Sequence, residues 1–192
     1  MAAPAMDAIE YKTVTINGNI VQRNEYVGTP RPELEEAWTR ISTGPPALRL
    51  SAEELKLMNR SMTAHDYHQL PEEAGGGYLA TLEVFHLLHC LNSLRKATFQ
   101  EYYPEIFEDE TREGRHVHLD HCVEILRQHL QCSGDVTPIA FYDVPTQLTP
   151  LPDFSTTHKC RNFDRILDWA NGEAGLESGR LVPWGEVLPG VA

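Results

Sequence analysis

The sequence predicts a mainly helical α+β fold: one domain in which two antiparallel helices carry a duplicated histidine motif beside a small N-terminal β element. The chain has 192 residues, 41% of them apolar, which suits a single domain with its own core. Two segments, 78–99 and 115–132, contain helix-forming residues without glycine or proline. The link between them, at 102–114, is short, which favours an antiparallel helix hairpin.

The β element is predicted near the N-terminus. Residues 11–27 alternate in polarity around a turn at Asn17-Gly18-Asn19, before Ile20 and Val21, as in a hairpin or an edge strand pair. The predicted division of the chain has three parts: an N-terminal β or extended segment at 1–24, a metal-binding domain at 25–170, and a C-terminal tail at 171–192.

Three shorter helices are predicted at 33–41, around 52–59 and at 163–170. Acidic residues open the first of them, and Trp38 is available as its core anchor. Ser51 is placed to cap the second. The proline-rich segment 133–157 predicts an extended loop with little regular structure.

The net charge of −12 argues against nucleic acid and anionic membrane as main partners, because either would need concentrated Lys and Arg. A small molecule or peptide is the expected partner.

No apolar run approaches the roughly 18 residues that span a bilayer, and the first residues lack the pattern of a signal peptide. Taken as it stands, the chain is predicted to be soluble, without a membrane segment, and cytoplasmic.

Each of the two long predicted helices carries one copy of a His-x2-His-Cys-x3-Leu-Arg motif. The copies contain His86, His89 and Cys90 in the first helix, and His118, His121 and Cys122 in the second. Residues spaced i, i+3 and i+4 share one helix face, so each triad of donors converges, and an antiparallel hairpin brings the two faces together. Arg95 and Arg127 lie on the far faces, as surface or ion-pairing residues.

Imidazole-rich sites suit copper, zinc, iron or nickel and disfavour magnesium and calcium. The four motif histidines could hold one copper, or two coppers with two imidazoles each. Zinc or iron is the alternative to copper. Zinc sites of two cysteines and two histidines are common, although a zinc finger has a Cys pair and a His pair rather than two mixed triads. His158, which precedes Cys160 by two residues, is a candidate further ligand.

The residues leave three roles open for Cys90 and Cys122: metal ligand, disulfide partner or redox donor. We expect a Cys90–Cys122 bridge, because the two occupy equivalent positions on facing helices and thiolates on a copper that meets dioxygen are easily oxidised. A second bridge is predicted between Cys132 and Cys160. Both bridges would imply folding in an oxidising compartment.

Beyond these local patterns, the chain closely resembles the UstYa-like fungal oxidases. The resemblance covers roughly residues 25–170 and rests on the string from Gly77 to Lys96, on His121-Cys122 with the later Cys132-x2-Asp135-Val-Thr137, and on His158-x-Cys160-Arg-Asn-Phe. It implies copper-dependent oxidative tailoring of fungal natural products by cyclisation, hydroxylation, desaturation or halogenation. The family motifs map onto His86, His89, Cys90, His118, His121 and Cys122.

The sequence therefore predicts a copper enzyme whose metal-binding and catalytic residues are His86, His89, His118 and His121. Its partners would be dioxygen and a small-molecule or peptide natural product. Many family members carry an N-terminal anchor that this chain lacks, so a secretory or vesicular location is expected if an anchor or signal was removed. Two rivals remain: a zinc-stabilised protein without activity, and a metal-free partner that binds the pathway's substrate.

Overall fold

The computed structural model describes residues 4–58, 67–104, 112–172, 175 and 179–187. Its helices are α1 Pro32–Ile41, α2 Ala52–Leu57, α3 Glu83–Ala97, α4 Arg112–Ser133, α5 Phe163–Asn171 and α6 Trp184–Val187. Its strands are β1 Tyr11–Thr15, β2 Ala47–Leu50, β3 Tyr78–Ala80, β4 Ala140–Tyr142, β5 Leu151–Asp153, β6 Thr157–Arg161 and β7 Leu181–Val182. Helices combine with small antiparallel sheets, so the predicted α+β class is confirmed.

The three shorter helices form close to where the sequence predicts them. Helix α1 starts with a proline, carries acidic residues in its first turn and a basic residue in its last, and buries Trp38. Helix α2 starts with a capping box, in which the Ser51 side chain accepts a hydrogen bond from the Glu54 backbone and the Glu54 side chain accepts one from the Ser51 backbone. Helix α5 extends the predicted 163–170 by one residue.

Replacing Ser51 with alanine is expected to lower the free energy of unfolding by about 1 kcal/mol, because the Glu54 amide loses its hydrogen-bond acceptor. Urea unfolding of the purified protein measures the change. The matched control is Ser51→Asn, which keeps a capping oxygen and should stay within about 0.5 kcal/mol of the original protein. Equal losses in the two variants would contradict a capping role.

The first long helix begins later than predicted. Helix α3 starts at Glu83 rather than at residue 78, because Tyr78–Ala80 pair antiparallel with Leu48–Leu50 of β2. Strand β2 is the centre of a three-stranded sheet in the order β3-β2-β7, and Leu48 and Leu50 are buried there. Pairing with a buried strand outweighs the helix propensity of 78–82.

The predicted hairpin within 11–27 is wrong. Strand β1 pairs instead with β6, in a register that places Tyr11 opposite Arg161 and Thr15 opposite Thr157. Ile20 and Val21, the expected second strand, are 84% and 81% exposed. Gly18 lies so close to Phe154 that a β-carbon there would be 2.1 Å from the Phe154 carbonyl carbon, so the turn residue serves this long-range contact.

The segment 133–157, predicted as an extended loop, contains strands β4 and β5, which pair antiparallel with each other. The segment 171–192, predicted as a tail, adds β7 to the edge of β2 and buries Val187. In both places a strand of two or three residues forms because another strand pairs with it, and local sequence periodicity does not reveal that pairing.

The core holds α3 in place from one side. Leu88 packs against Leu34 and Trp38 of α1, and Phe85 packs against Ile166 and Ala170 of α5. On its other side α3 packs against α4, and this is the main packing contact of α4. Among the described residues no helix is long and apolar enough to cross a membrane.

Candidate metal centre

The two histidine motifs lie on the facing sides of α3 and α4. The ring centroids of His86 and His121 are 5.5 Å apart, and those of His89 and His118 are 6.1 Å apart. The earlier histidine of one helix thus faces the later histidine of the other, so the two helices run in opposite directions. Their connection passes through 105–111, which lie outside the described residues.

Three donor atoms form a compact group. His86 Nε2 lies 3.4 Å from His121 Nε2 and 3.7 Å from Cys90 Sγ. The ligand atoms of these three residues all lie within 4.8 Å of one another. Cys90 is fully buried, His86 is half-buried and His121 is exposed, so the group reaches from the helix interface to the surface.

The spacing of these donors fits a metal ion. Tetrahedral bonds of about 2.0–2.1 Å to nitrogen and about 2.3 Å to sulfur place two nitrogens about 3.4 Å apart, and a nitrogen and a sulfur about 3.6 Å apart. The observed 3.4 Å and 3.7 Å match these separations. Ions that accept nitrogen and sulfur in this geometry are Zn²⁺ and Cu⁺.

His89 and His118 form a second pair beside the first. Their rings stack with an interplanar angle of 25°, and neither belongs to the group of His86, Cys90 and His121. Burial lowers the pKa of His89, and the neighbouring charges of His118, His86 and Lys96 lower it further. His89 is therefore held as the neutral imidazole, the form that binds metals.

The two motif cysteines meet beneath the histidines. Cys90 and Cys122 are both 0% exposed. Burial raises the pKa of the Cys122 thiol to about 12, and a hydrogen bond with Cys90 adds to this shift. All four cysteines are thiols in the structure, so neither predicted bridge is formed, but Cys90 and Cys122 are in contact.

The comparison with protein families identifies the chain. The family profile described as "Mycotoxin biosynthesis protein UstYa" matches residues 1–173. The chain belongs to the UstYa family. The membership agrees with the resemblance to UstYa-like oxidases that the duplicated motif predicts. No solved structure matches the chain.

Several curated proteins are similar along most of this chain. The UstYa family oxidase phomYc of Diaporthe leptostromiformis is 35% identical over 86% of the chain and 66% of its own length. The UstYa family oxidase aprY of Aspergillus flavus is 34% identical over 93% of the chain and 57% of its own length. The Transacylase cctO of Talaromyces islandicus is 31% identical over 93% of the chain and 61% of its own length. The chain thus spans less than two thirds of the length of these relatives.

The structure does not bring His158 to the histidine cluster of this UstYa family member. Its Nδ1 lies 2.7 Å from Asp135 Oδ2, and its Nε2 lies 2.6 Å from Thr156 Oγ1. Both ring nitrogens therefore have partners elsewhere. The contact with Asp135 ties β6 to the segment that follows α4. Cys132, in the last turn of α4, is exposed, and Cys160 on β6 is partly exposed.

Sequence reasoning missed a group of residues on the far side of α3. Arg95, expected as a surface or pairing residue, is a pairing residue: its guanidinium donates to both carboxylate oxygens of Glu35, at 2.9 and 3.1 Å. Tyr103 joins the pair by donating to Glu35 at 2.6 Å. Glu35 lies 60 positions before Arg95, and no local spacing signals such a contact.

Proposed function

We propose that this chain is an oxidoreductase that oxidises a natural product in a fungal secondary-metabolite or ribosomal-peptide pathway. The names of its relatives support this, since phomYc and aprY are UstYa family oxidases and the family profile describes mycotoxin biosynthesis. The observation that carries the proposal is the pairing of two His-x2-His-Cys helices with His86 and His121 nitrogens 3.4 Å apart. Such convergence of imidazoles at a helix interface is characteristic of a metal site.

Copper is the proposed metal, held by His86 with His121 and by His89 with His118. Imidazole donors suit copper, and the 3.4 Å between the His86 and His121 nitrogens fits two ligands of one ion. Copper exchanges single electrons and reacts with dioxygen, which supplies the oxidising chemistry. The arrangement as two pairs accommodates either one ion or two.

The protein positions the four histidines and leaves one side of the site open to a substrate. His86 and His89 are half-buried on α3, which the core holds in place, while His118 and His121 are exposed on α4. A bulky metabolite or a peptide can therefore approach the site from the α4 side. The low pKa of His89, caused by its burial and by nearby positive charge, keeps its imidazole available for coordination.

The proposed reaction is the removal of hydrogen from a C–H, N–H or phenolic O–H bond of the bound substrate. Cyclisation, hydroxylation, desaturation and halogenation are different outcomes of that activation. We further propose a secretory or vesicular location, because the buried contact between Cys90 and Cys122 is suited to a disulfide, which persists in an oxidising compartment.

A zinc-stabilised protein without activity is the second candidate function. The observation that favours it is the group of two nitrogens and one sulfur from His86, His121 and Cys90, whose spacing equals that of a tetrahedral zinc site. A structural zinc would hold α3 and α4 together, since α4 has its main packing contact with α3.

Metal analysis and oxygen uptake distinguish the two candidates. The protein is purified without chelators, and its copper and zinc contents are measured by mass spectrometry. Dioxygen consumption is then followed with the compounds made by the neighbouring biosynthetic genes. Stoichiometric copper with substrate-dependent uptake is the expected result. Stoichiometric zinc, with no uptake after reconstitution with copper, would establish the structural role instead.

A further inference from the structure

Tyr103 is a buried phenol with a short hydrogen bond to a carboxylate. It is 6% exposed, and its hydroxyl donates to Glu35 Oε1 at 2.6 Å while accepting from Arg95 Nη1 at 3.0 Å. Lys96 approaches the other oxygen of Glu35 at 3.4 Å. The phenolic proton therefore has one defined acceptor, which two cations hold in place.

The charges around Glu35 keep this acceptor ionised. Burial raises the pKa of Glu35, but the hydrogen bonds from Tyr103 and Arg95 and the charges of Arg95 and Lys96 outweigh it and leave the pKa below its ordinary value. Burial and the hydrogen bond to Glu35 raise the pKa of Tyr103. At neutral pH the pair is a phenol and a carboxylate, so a proton can move between them over a single short contact.

Contacts between cations and aromatic rings connect this pair to the histidine helix and, on the other side, to two rings nearer the surface. The Lys96 ammonium lies 5.1 Å from the Tyr103 ring centroid, and Lys96 follows His89 on the same face of α3, about 10 Å along the axis. On the other side, the Arg95 guanidinium lies 5.4 Å from the Tyr103 ring and 5.7 Å from the Trp38 ring. The Trp38 ring contacts the half-exposed Tyr26 ring at 5.8 Å.

We propose that Tyr103 is a one-electron donor to the metal centre, with Glu35 as the acceptor of its proton. This inference rests on the proposed copper oxidase function. The electron passes to the copper centre after dioxygen has oxidised it, the Tyr103 O–H bond breaks, and the proton moves to Glu35 Oε1. The products are a neutral phenoxyl radical and a neutral carboxyl group.

The reverse step restores the pair. A solvent reductant such as ascorbate supplies one electron through Tyr26 and Trp38, and the proton returns from Glu35 to the phenoxyl oxygen. The cations at Arg95 and Lys96 disfavour a charged tyrosyl radical, so loss of the electron requires loss of the proton. Such a path serves the oxidase because reduction of dioxygen to water takes four electrons, whereas oxidation of one substrate bond supplies two.

The test compares Tyr103→Phe with Tyr102→Phe, whose ring is on the neighbouring residue but 53% exposed. Copper-loaded protein is mixed with dioxygen or hydrogen peroxide, frozen rapidly and examined by electron paramagnetic resonance, with its copper content measured in parallel. We expect a tyrosyl radical in the original protein and in Tyr102→Phe, and none in Tyr103→Phe. Glu35→Gln should form the radical more slowly by roughly a hundredfold, because the proton acceptor is lost.

Ring-deuterated tyrosine in the unmutated protein provides a measurement that does not depend on how the variants fold, since narrowed hyperfine lines identify a tyrosyl radical directly. Bound copper with no tyrosyl radical, or with equal radical in Tyr103→Phe and Tyr102→Phe, would overturn the relay and leave the oxidase function intact. A chain that binds no copper would overturn both the relay and the oxidase function.

A second experiment uses metal-free protein. A photochemical one-electron oxidant should oxidise Tyr103 by a route that depends on Glu35, and an unchanged yield in Glu35→Gln would count against the proton transfer.

Discussion

Replacing His89 or His121 with alanine is expected to abolish both bound copper and activity. Each replacement removes one member of a facing pair, His89 with His118 or His121 with His86. Loss of a residue that only supports a ligand costs about 10–100-fold in metal affinity, so loss of a ligand should cost more than about 100-fold. Copper content after dialysis and substrate-dependent oxygen uptake measure the two effects.

His116→Ala and His129→Ala are the matched controls, because both are exposed histidines of the same helix, α4, and belong to neither pair. Their copper content and activity should equal those of the original protein. Circular dichroism shows whether each variant keeps its helices. Unchanged copper in both His89→Ala and His121→Ala would refute the assignment of the four histidines as ligands.

A disulfide between Cys90 and Cys122 is expected in the protein as it is made in an oxidising compartment. The two residues are fully buried, and their thiols are already in contact. The bridge would close a loop of about 30 residues, which corresponds to about 4 kcal/mol of stability on the chain-entropy estimate. In the double variant Cys90→Ala/Cys122→Ala, the free energy of unfolding measured with urea should fall by roughly that amount. The spacing of the two histidine helices would then no longer be fixed by a covalent bond.

Thiol counting on denatured, unreduced protein tests both predicted bridges. Denaturation is necessary, because a thiol with a pKa of about 12 forms little of the reactive thiolate in the folded protein. Cys132→Ser/Cys160→Ser separates the two bridges, because it removes the exposed and partly exposed cysteines and leaves only Cys90 and Cys122 to be counted. Four free thiols would rule out both bridges and make Cys90 and Cys122 candidate metal ligands again.

Local signals were sufficient for the three shorter predicted helices and for the composition of the site. Hydrogen bonds between residues four apart define an α-helix, so the spacing of His86, His89 and Cys90 places them on one face whatever the rest of the chain does. The cap at Ser51 and the acidic first turn of α1 are equally local, and both helices form as predicted.

Tertiary structure decided which surfaces meet. Strand β1 pairs with β6 instead of with Ile20 and Val21, and 78–80 become strand β3 because a buried strand lies beside them. Such pairings depend on contacts between residues far apart in the chain, which periodicity within one segment does not encode. The candidate further ligand, His158, has its partners in Asp135 and Thr156 for the same reason.

By itself the sequence determined that two helices each present two imidazoles and a thiol on one face, and its charge of −12 predicts that nucleic acid is not the main partner. Only the folded chain decided that the four imidazoles meet as two pairs, that Cys90 lies within reach of the His86 nitrogen, and that Tyr103 meets Glu35. The physical reason is that helix periodicity is set by local backbone hydrogen bonds, whereas the distances between helices are set by packing of the whole core.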